Sequence, residues 1–577
     1  MSSEIKTIAS FHNGHDVSYC ILKDGEPILH NELERFIRVK EPHSDGLPFL
    51  VDTYPDLKNI DMFVDSDYEY NRDPSFNKKS KLSYEEVNCK EDWDLIKDKP
   101  YVTLGHHQSH AASAFFSSNF DQALIFTFDG GGGSAYYDST EEKLVFPLFN
   151  KDPFTHSSFS VWSGKGNKIT HIRTLPSDYL NIGSRWSELT RFLKLCGGHC
   201  HYQSYEDWKK NPDPKGWFGH AAGTVMAMAT IGKANNDLVK LYKQYIAPIF
   251  YGAPTKELQF EFEEYNKPEE KTEKTIFEHN CMLAASLQKA TEEILNFIIT
   301  GFIKEHNSTN ICLSGGVALN AVATGKLCSE LNGISIHVDP IPGDNGLPFG
   351  AALYTWHQIL DNPRKKRNGN LMSYLGKSYS NTEIDDSILK YKDKISVVES
   401  SDDELVDLLA KDNIVAVFGG GSESGRRALG NRSILADPSS TNMKDLINEK
   451  VKHRQWFRPF APSILKDEVL NWFNEDIESP YMSFVIKFKE EMKEKVPAVV
   501  HFDGSARLQT VTEKDNPWYY NLIAKFKAKT KIPMLLNTSF NDREPIVETP
   551  EHAINCFLGT NIDYLYFYEP KLLIRKK

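Results

Sequence analysis

"VTLGHHQSHAASAFFSSNFDQALIFTFDGGGGS", residues 102–134, sets three histidines within five positions and ends with Asp129 against four glycines. His106 and His110 are four apart, so on a helix they share one face and can grip a single ion. The apolar run behind them reads as a strand, and a strand end is where a sheet presents a ligand to a crevice. Asp344, in "IHVDPIPGDNGLPFGAAL" (336–353), stands on a second glycine turn between strand and helix. Two histidines with one or two carboxylates suit a divalent transition metal such as iron, zinc or manganese. The same residues also read as core histidines satisfied by their neighbours, and spacing alone leaves both readings open. No HExxH glutamate accompanies them, which removes a zinc-protease site.

Working outward, two stretches share one grammar. "IKTIASFHNGHDVSYCILKDGEPILHNELERF" (5–36) and "QALIFTFDGGGGSAYYDSTEEKLVFPLF" (122–149) each offer a strand, a polar turn with an acid (Asp16, Asp129), a second strand, a tight turn and a third strand. A hairpin-first unit met twice predicts a duplicated α/β domain with its cleft between the halves. Glycines after Asp129 let a ligand approach the backbone closely. His15 and Asp16 stand on the first of these turns. A histidine there can act as a base toward a hydroxyl, because its pKa lies near working pH; it can equally bond its own turn.

Further along, "TIFEHNCMLAASLQKATEEILNFIITGFIKEH" (275–306) spaces apolar residues by three and four and predicts a long buried helix. "NICLSGGVALNAVATGKL" (310–327) follows as strand, glycine turn and helix, the arrangement that offers a helix N-terminus to a phosphate or ribose. "DNPRKKRNGN" (361–370) is polar and rich in turn formers and marks a boundary, giving domains 1–365 and 366–577. Beyond it lies a second α/β region, in which "IDYLYFY" (562–568) reads as the last strand. This region carries an arginine set: Arg426, Arg427, Arg432, Arg454, Arg458 and Arg507, with Lys452, in short glycine-, proline- and aromatic-flanked motifs. Arginine bonds phosphate in a bidentate fashion, so such a set fits a small dianion plus a nucleotide; taken singly, each arginine reads equally well as a structural ion pair.

The bulk properties bound the rest. At 577 residues the chain exceeds one core, and its net charge of −12 gives no basic field for nucleic acid or anionic membrane. No run of about 18 apolar residues predicts a membrane span, and no signal-type leader is read at the N-terminus, so the expected compartment is the cytoplasm. Of eight cysteines only Cys196 and Cys200 lie close together, which predicts neither a disulfide framework nor a zinc ribbon. The segment of about 150–220, rich in Trp, Tyr, Ser and Gly, reads either as the lining of a polyol pocket or as self-packed loops.

Together, "HDVS", "GHHQSHAASAFFSS", "FDGGGGS", "LSGGVALN", "PGDNGLPFGAAL", "RALGNRSILADP", "FRPFAPSIL", "ARLQT" and "LLNTSFN…EPIV" resemble the ATP-dependent O-carbamoyltransferases, among them nodulation-factor and antibiotic-tailoring enzymes. The resemblance runs from near residue 9 to near residue 566. It implies an N-terminal duplicated actin/sugar-kinase-like domain, similar to the threonylcarbamoyl-transferring enzymes of tRNA modification, and a C-terminal twisted α/β, YrdC-like domain. In that family carbamoyl phosphate and ATP, with Mg, give carbamoyl-adenylate and pyrophosphate in the C-terminal domain. A hydroxyl of a small sugar or natural-product acceptor then takes the carbamoyl group in the N-terminal domain and AMP leaves.

By the same resemblance His106, His110, Asp129 and Asp344 would hold a divalent metal, iron in that family, and His15 with Asp16 would serve the acceptor hydroxyl. Gly130, Gly131, Ser314, Gly315, Gly316 and Asn320 would line the nucleotide. Arg427, Arg432, Lys452, Arg454, Arg458, Arg507 and Asn537 would bind carbamoyl phosphate and the ATP phosphates. The family expectation excludes nucleic-acid and membrane partners and admits a homodimer. The usual "EFGPRALG" is "ESGRRALG" here, with Ser424 and Arg426; Arg543 replaces the glycine before "EPIV", and Thr224 stands where a lysine is common. The competing readings are a catalytically altered nucleotide-binding protein of the same fold and a tRNA threonylcarbamoyl transferase-like enzyme.

Overall fold

A computed structural model describes residues 5–42, 44–66, 90–145, 147, 156–193, 222–254, 272–365 and 371–577. Cys196, Cys200 and much of the 150–220 segment lie outside the described residues. The chain forms two compact, mixed α/β units, one of residues 1–323 with 330–366 and one of 324–329 with 367–577.

The first unit contains one plan twice. Its first sheet comprises β1 (Thr7–His12), β2 (Ser18–Lys23), β3 (Glu26–Glu32), β4 (Met62–Asp65) and β5 (Tyr101–Thr103), in the order β3-β2-β1-β4-β5. β1, β2 and β3 run antiparallel in sequence, while β4 and β5 join parallel to β1. The tight turn between β2 and β3 places Asp24 and Gly25 both at positive φ, the backbone a two-residue hairpin needs. A Cβ on Gly25 would come within 2.4 Å of the Trp356 indole, so only glycine fits there.

The second sheet comprises β6 (Gln122–Gly133), β9 (His156–Lys165), β10 (Lys168–Pro176), β11 (Asn310–Ser314) and β12 (Ser335–Val338). Its order, β10-β9-β6-β11-β12, repeats the first, with the same antiparallel meander and the same parallel pair. The segment expected to complete this meander does something else. Residues 136–145 form a separate two-stranded hairpin, β7 (Tyr136–Asp138) with β8 (Lys143–Val145). β6 itself pairs with β9 up to Phe128, shifts register across the glycines and pairs with it again at Gly132 and Gly133, so the 136–145 hairpin is an excursion between those two partners.

The helix Glu273–His306 covers the predicted span; Thr272 caps its start and Asn307, left-handed, ends it. Leu287, Ile294, Ile298 and Phe302 form part of its buried stripe.

The second unit is built on a nine-stranded sheet with both parallel and antiparallel neighbours. Its strands are β13 (Ile395–Glu399), β14 (Val415–Phe418), β15 (Arg432–Ala436), β16 (Ala461–Leu465), β17 (Phe484–Lys487), β18 (Ser505–Val511), β19 (Met534–Ser539), β20 (Tyr564–Phe567) and β21 (Leu572–Lys576). The order is β13-β21-β20-β14-β15-β19-β16-β18-β17. The stretch 562–568, expected as the last strand, holds β20 and is followed by β21, which turns back antiparallel onto it. Val415, Val417, Leu435 and Leu535 pack with Ile523 and Phe526 of the helix Pro517–Thr530 in one core. Among the described residues no helix is long and apolar enough to cross a membrane.

Candidate functional site

The helix His106–Ser117 is buried over nearly its whole length. It can begin where it does because Gly105 has no side chain: a Cβ would lie 1.8 Å from the Ala135 carbonyl oxygen. A second glycine brings the Asp344 segment close, since a Cβ on Gly350 would meet the Ser109 carbonyl at 1.9 Å. The helix Leu347–Tyr354 thus crosses at backbone contact, and the turn Asp344–Gly346 precedes it directly. Ser18 of β2 and His30 of β3 both donate to the Asn345 carbonyl, at 2.9 and 2.7 Å, and pin that turn.

Four side chains converge as a result. Asp129 Oδ2 lies 3.2 Å from His106 Nε2 and 3.1 Å from His110 Nε2. Asp344 Oδ1 lies 3.8 and 3.4 Å from the same two nitrogens. One donor atom from each residue falls within 4.8 Å of all the others, and all four residues are buried. A Cβ on Gly132 would strike the His106 ring at 2.4 Å, so that glycine makes room for the imidazole. Burial would raise the Asp129 pKa, but the two imidazoles against it hold the carboxyl well below the ordinary range. Asp344 is held down too, with His15 and His106 outweighing burial and the nearby Asp129.

His110 is oriented from behind. Ser314 donates its hydroxyl to Asp339 Oδ2 at 2.6 Å, which leaves its oxygen to accept from His110 Nδ1 at 3.3 Å. Asp339 is buried and fixed in turn by the Ser113 hydroxyl at 2.8 Å and the Ile341 amide at 2.9 Å. With the proton on Nδ1, Nε2 keeps its lone pair toward the cluster, the tautomer a metal ligand requires. Two imidazole nitrogens and two carboxylates, so oriented, fit a divalent transition ion. Asp339 and Ser113 are partners of the cluster that the sequence reading passed over. The signal available was "HVDP", an acid after an apolar strand with the strand-end Ser314 before it in sequence.

The third histidine of the opening motif has the bland role. His107 bonds Thr127 Oγ1 at 2.7 Å and the Ser157 carbonyl at 3.0 Å. Burial, with His106 beside it, pushes its pKa down to about 3. It is a neutral structural ring.

His15 does not stand apart from the cluster. Its Nε2 is 3.1 Å from Asp344 Oδ2 and its Nδ1 is 3.2 Å from Asp16 Oδ2, with half of the side chain open to solvent. Burial opposes its charge, but Asp344 and Asp16 prevail and push its pKa up to about 10. Asp16 reaches it from a left-handed conformation, φ 59°, which aspartate tolerates. Both ring nitrogens therefore face carboxylates, and neither offers a lone pair outward.

Around Asp129 the glycines divide. Among the described residues a Cβ on Gly131 would meet nothing within 4 Å, which leaves space there, whereas Gly130 is engaged: its amide donates to Asp129 Oδ1 at 2.7 Å and its carbonyl accepts from Asn181 at 3.1 Å and Ser184 at 3.0 Å. Gly315, at φ 88°, passes so near Phe128 that a Cβ would sit 2.3 Å from its carbonyl. A Cβ on Gly316 would lie 3.1 Å from Asp129 Oδ1. Asn320, expected beside the nucleotide, bonds Gln288 at 2.9 Å and caps the next helix through the Ala323 amide.

In the second unit the basic set separates by role. Arg432 is fully buried and donates to the carbonyls of Gly419, Gly420, Asn431 and Lys377. Its guanidinium also stacks 3.7 Å from the Phe418 ring centroid, so it holds the glycine turn rather than presenting charge to an anion. Lys452 clamps Ser539 and Asn541, bonding the Asn541 carbonyl at 2.8 Å and side chain at 2.6 Å. Asn537 donates to Ala428 O, Ser463 Oγ and Gln509 Oε1. These three, expected as phosphate ligands, bond the protein's own carbonyls and side chains in this structure.

Arg427, Arg454, Arg458 and Arg507 behave differently. Burial and the mutual repulsion of these cations lower the Arg427 and Arg454 pKa values well below the ordinary range. Arg507 is pushed down to about 10 by burial and by Arg454 and Arg458, and Arg458 to about 10 by burial. Like charges buried against one another are the electrostatic signature of a site that wants an anion. Of the departures, Ser424 is buried with its amide on the Ser373 carbonyl at 2.6 Å. Arg543 is exposed and has no positive φ, so the backbone there does not demand glycine.

Comparison with known proteins follows this division. A model described as the carbamoyltransferase N-terminus matches residues 70–353, and one described as the carbamoyltransferase C-terminus matches 406–576. Nodulation protein NolO of Bradyrhizobium diazoefficiens is 31% identical over 490 residues, 82% of this chain and 79% of its own. An uncharacterized Synechocystis protein is 34% identical over 510 residues, 81% of this chain and 76% of its own. Among solved structures, HypF of T. kodakarensis aligns at 13% identity and a TM-score of 0.32, over 60% of this chain and 47% of that one, so the chain spans about half its length. On the two matched models and these relatives, the chain belongs to the carbamoyltransferase family.

Proposed function

We propose that the chain is an ATP-dependent O-carbamoyltransferase acting in two steps on a small hydroxyl compound. The observation that carries this reading is the convergence of His106, His110, Asp129 and Asp344 on one point in a member of this family. The repeated sheet order of the first unit supports an actin/sugar-kinase-type domain, and the arginines of the second support an adenylate-forming, YrdC-like one.

In the second unit Arg427, Arg454, Arg458 and Arg507 neutralise carbamoyl phosphate and the triphosphate of Mg-ATP. Water first cleaves carbamoyl phosphate to carbamate and phosphate; the carbamate oxygen then attacks the α-phosphorus of ATP and pyrophosphate leaves. Fixed guanidinium groups stabilise the charge developing in such a transfer without reorganising.

In the first unit the carbamoyl-adenylate lies along the glycines after Asp129, where there is space beside Gly131. A divalent ion held by the four side chains, iron in the family reading, would supply a Lewis acid and a template for the adenylate phosphate. Asp339, through Ser314, keeps His110 in its orientation. His15 rests protonated between Asp16 and Asp344; it first gives its Nε2 proton to water, and the neutral ring then takes the proton of the acceptor hydroxyl. The alcohol oxygen then bonds the carbamoyl carbon and AMP leaves.

The test is mass spectrometry of polyols, sugars and hydroxylated natural products incubated with the protein, ATP and carbamoyl phosphate, with pyrophosphate measured in parallel. A carbamoylated product with pyrophosphate supports the reading. Metal-loaded, folded protein that releases no carbamoyl-phosphate-dependent pyrophosphate would instead be a nucleotide-binding relative.

A further inference from the structure

Two aromatic side chains of the second unit remain exposed where the arginines are. Trp456 is 58% exposed and Phe502 49%, among the most exposed large apolar residues described. Their rings stand nearly perpendicular, 87°, with centroids 5.7 Å apart, forming a floor and a wall. Lys444 Nζ lies 4.2 Å from the Phe502 centroid and adds a cation to the corner. Beside Phe502, His501 is buried and its Nε2 has no hydrogen-bond partner among the described residues.

Both aromatics sit on the loops that carry the anion-seeking cations. Trp456 is two residues from Arg454 and from Arg458, a reach of at most about 7 Å along the chain. Asn448 fixes that turn, accepting from Arg454 Nε at 2.8 Å and donating to the Arg458 carbonyl at 2.9 Å. Phe502 opens the turn that leads into β18 and Arg507, and Arg507 and Lys444 both act on the charge of His501. A solvated aromatic corner joined to buried, mutually repelling arginines has two demands, a planar ring and an anion. A purine nucleoside triphosphate meets both in one molecule, since any base can stack on an aromatic face.

We propose that Trp456 and Phe502 form the platform on which the adenine of ATP stacks in the second unit, with its phosphates on Arg454, Arg458 and Arg507. The assignment rests on the adenylate-forming reading above.

The test measures carbamoyl-phosphate-dependent pyrophosphate release by the full chain and photolabelling with 2-azido-ATP. Trp456→Ala and Phe502→Ala should each raise KM for ATP about tenfold or more, with kcat within about threefold. Trp456→Phe should restore most of the loss, and the photolabel should fall on the peptide containing Trp456 or Phe502. Unchanged KM in both alanine variants, or a label on neither peptide, overturns the platform while leaving the adenylation reading intact, provided Arg507→Ala abolishes release. Absence of release from the unaltered protein, or full release by Arg507→Ala, overturns the reading itself and the platform with it. Because both side chains are exposed, thermal melts of the alanine variants should match the parent chain.

Discussion

Replacing Ser314 by alanine tests the chain of contacts behind His110. The substitution deletes the 2.6 Å hydroxyl–carboxylate bond to Asp339 and the 3.3 Å contact to His110 Nδ1, and removes one atom from a buried site. A hydrogen bond to a charged group contributes about 1.5–3 kcal/mol, and a buried acceptor losing its donor costs about 1–3 kcal/mol. The ion-free protein should therefore lose roughly 1–3 kcal/mol of stability. The larger consequence concerns the ring. Without Ser314 the proton of His110 is free to move to Nε2, and the ring turns away from a ligating tautomer. Loss of such an outer partner lowers metal affinity about 10- to 100-fold, which is about 1.4–2.8 kcal/mol. Chelator-competition titration with Fe(II), Zn(II) or Co(II), read beside circular dichroism, measures this. Parent-like affinity for every ion in a folded Ser314→Ala protein would refute the argument that Asp339 acts through Ser314 on His110.

Other outcomes follow from the same geometry. His106→Ala should keep carbamoyl-phosphate-dependent pyrophosphate release and lose carbamoyl transfer, and equal loss of both would contradict a division of labour between the units. Arg458→Ala should abolish pyrophosphate release with bound metal unchanged, checked by elemental analysis. Gly132→Ala should displace the His106 ring, because its Cβ would arrive 2.4 Å from it, and should cut metal content while the fold survives. Burial and the nearby Arg364 push the His337 pKa down to about 4, below its unfolded value near 6.5. The unfolded chain then binds that proton first, so stability should fall as pH drops from about 6.5 to about 4, by at most about 1.4 kcal/mol per pH unit for this group. His337→Gln should flatten that slope in denaturant titrations at stepped pH.

The sequence disclosed the strands and the long helix because their hydrophobic periods are strong, and it disclosed the His–Asp cluster because a four-residue spacing fixes a helix face. It misled where a strand had to choose a partner. Residues 136–145 alternate well enough to complete the second meander, but β6 takes β9 as its partner through Gly133, and alternation carries no measure of which of two strands pairs. It also could not sort the basic residues of the second unit. Arg432 and Arg507 look alike in their motifs, yet one is enclosed by carbonyl oxygens and the other is left among like charges. Asp339 was hidden for a related reason: its importance lies in a contact across 25 residues to Ser314, which no local pattern announces.

The turn that bears Asp344 is fastened to β2 and β3 through the Asn345 carbonyl, whereas Asp129 belongs to β6 of the repeated sheet. An ion shared by those two aspartates would rivet one copy of the duplicated plan to the other. Its grip would then be sensitive to any breathing between the copies, loosening as they part and tightening as they close. Exchange of such an ion would accordingly follow any opening of the first unit rather than simple diffusion to a surface ligand.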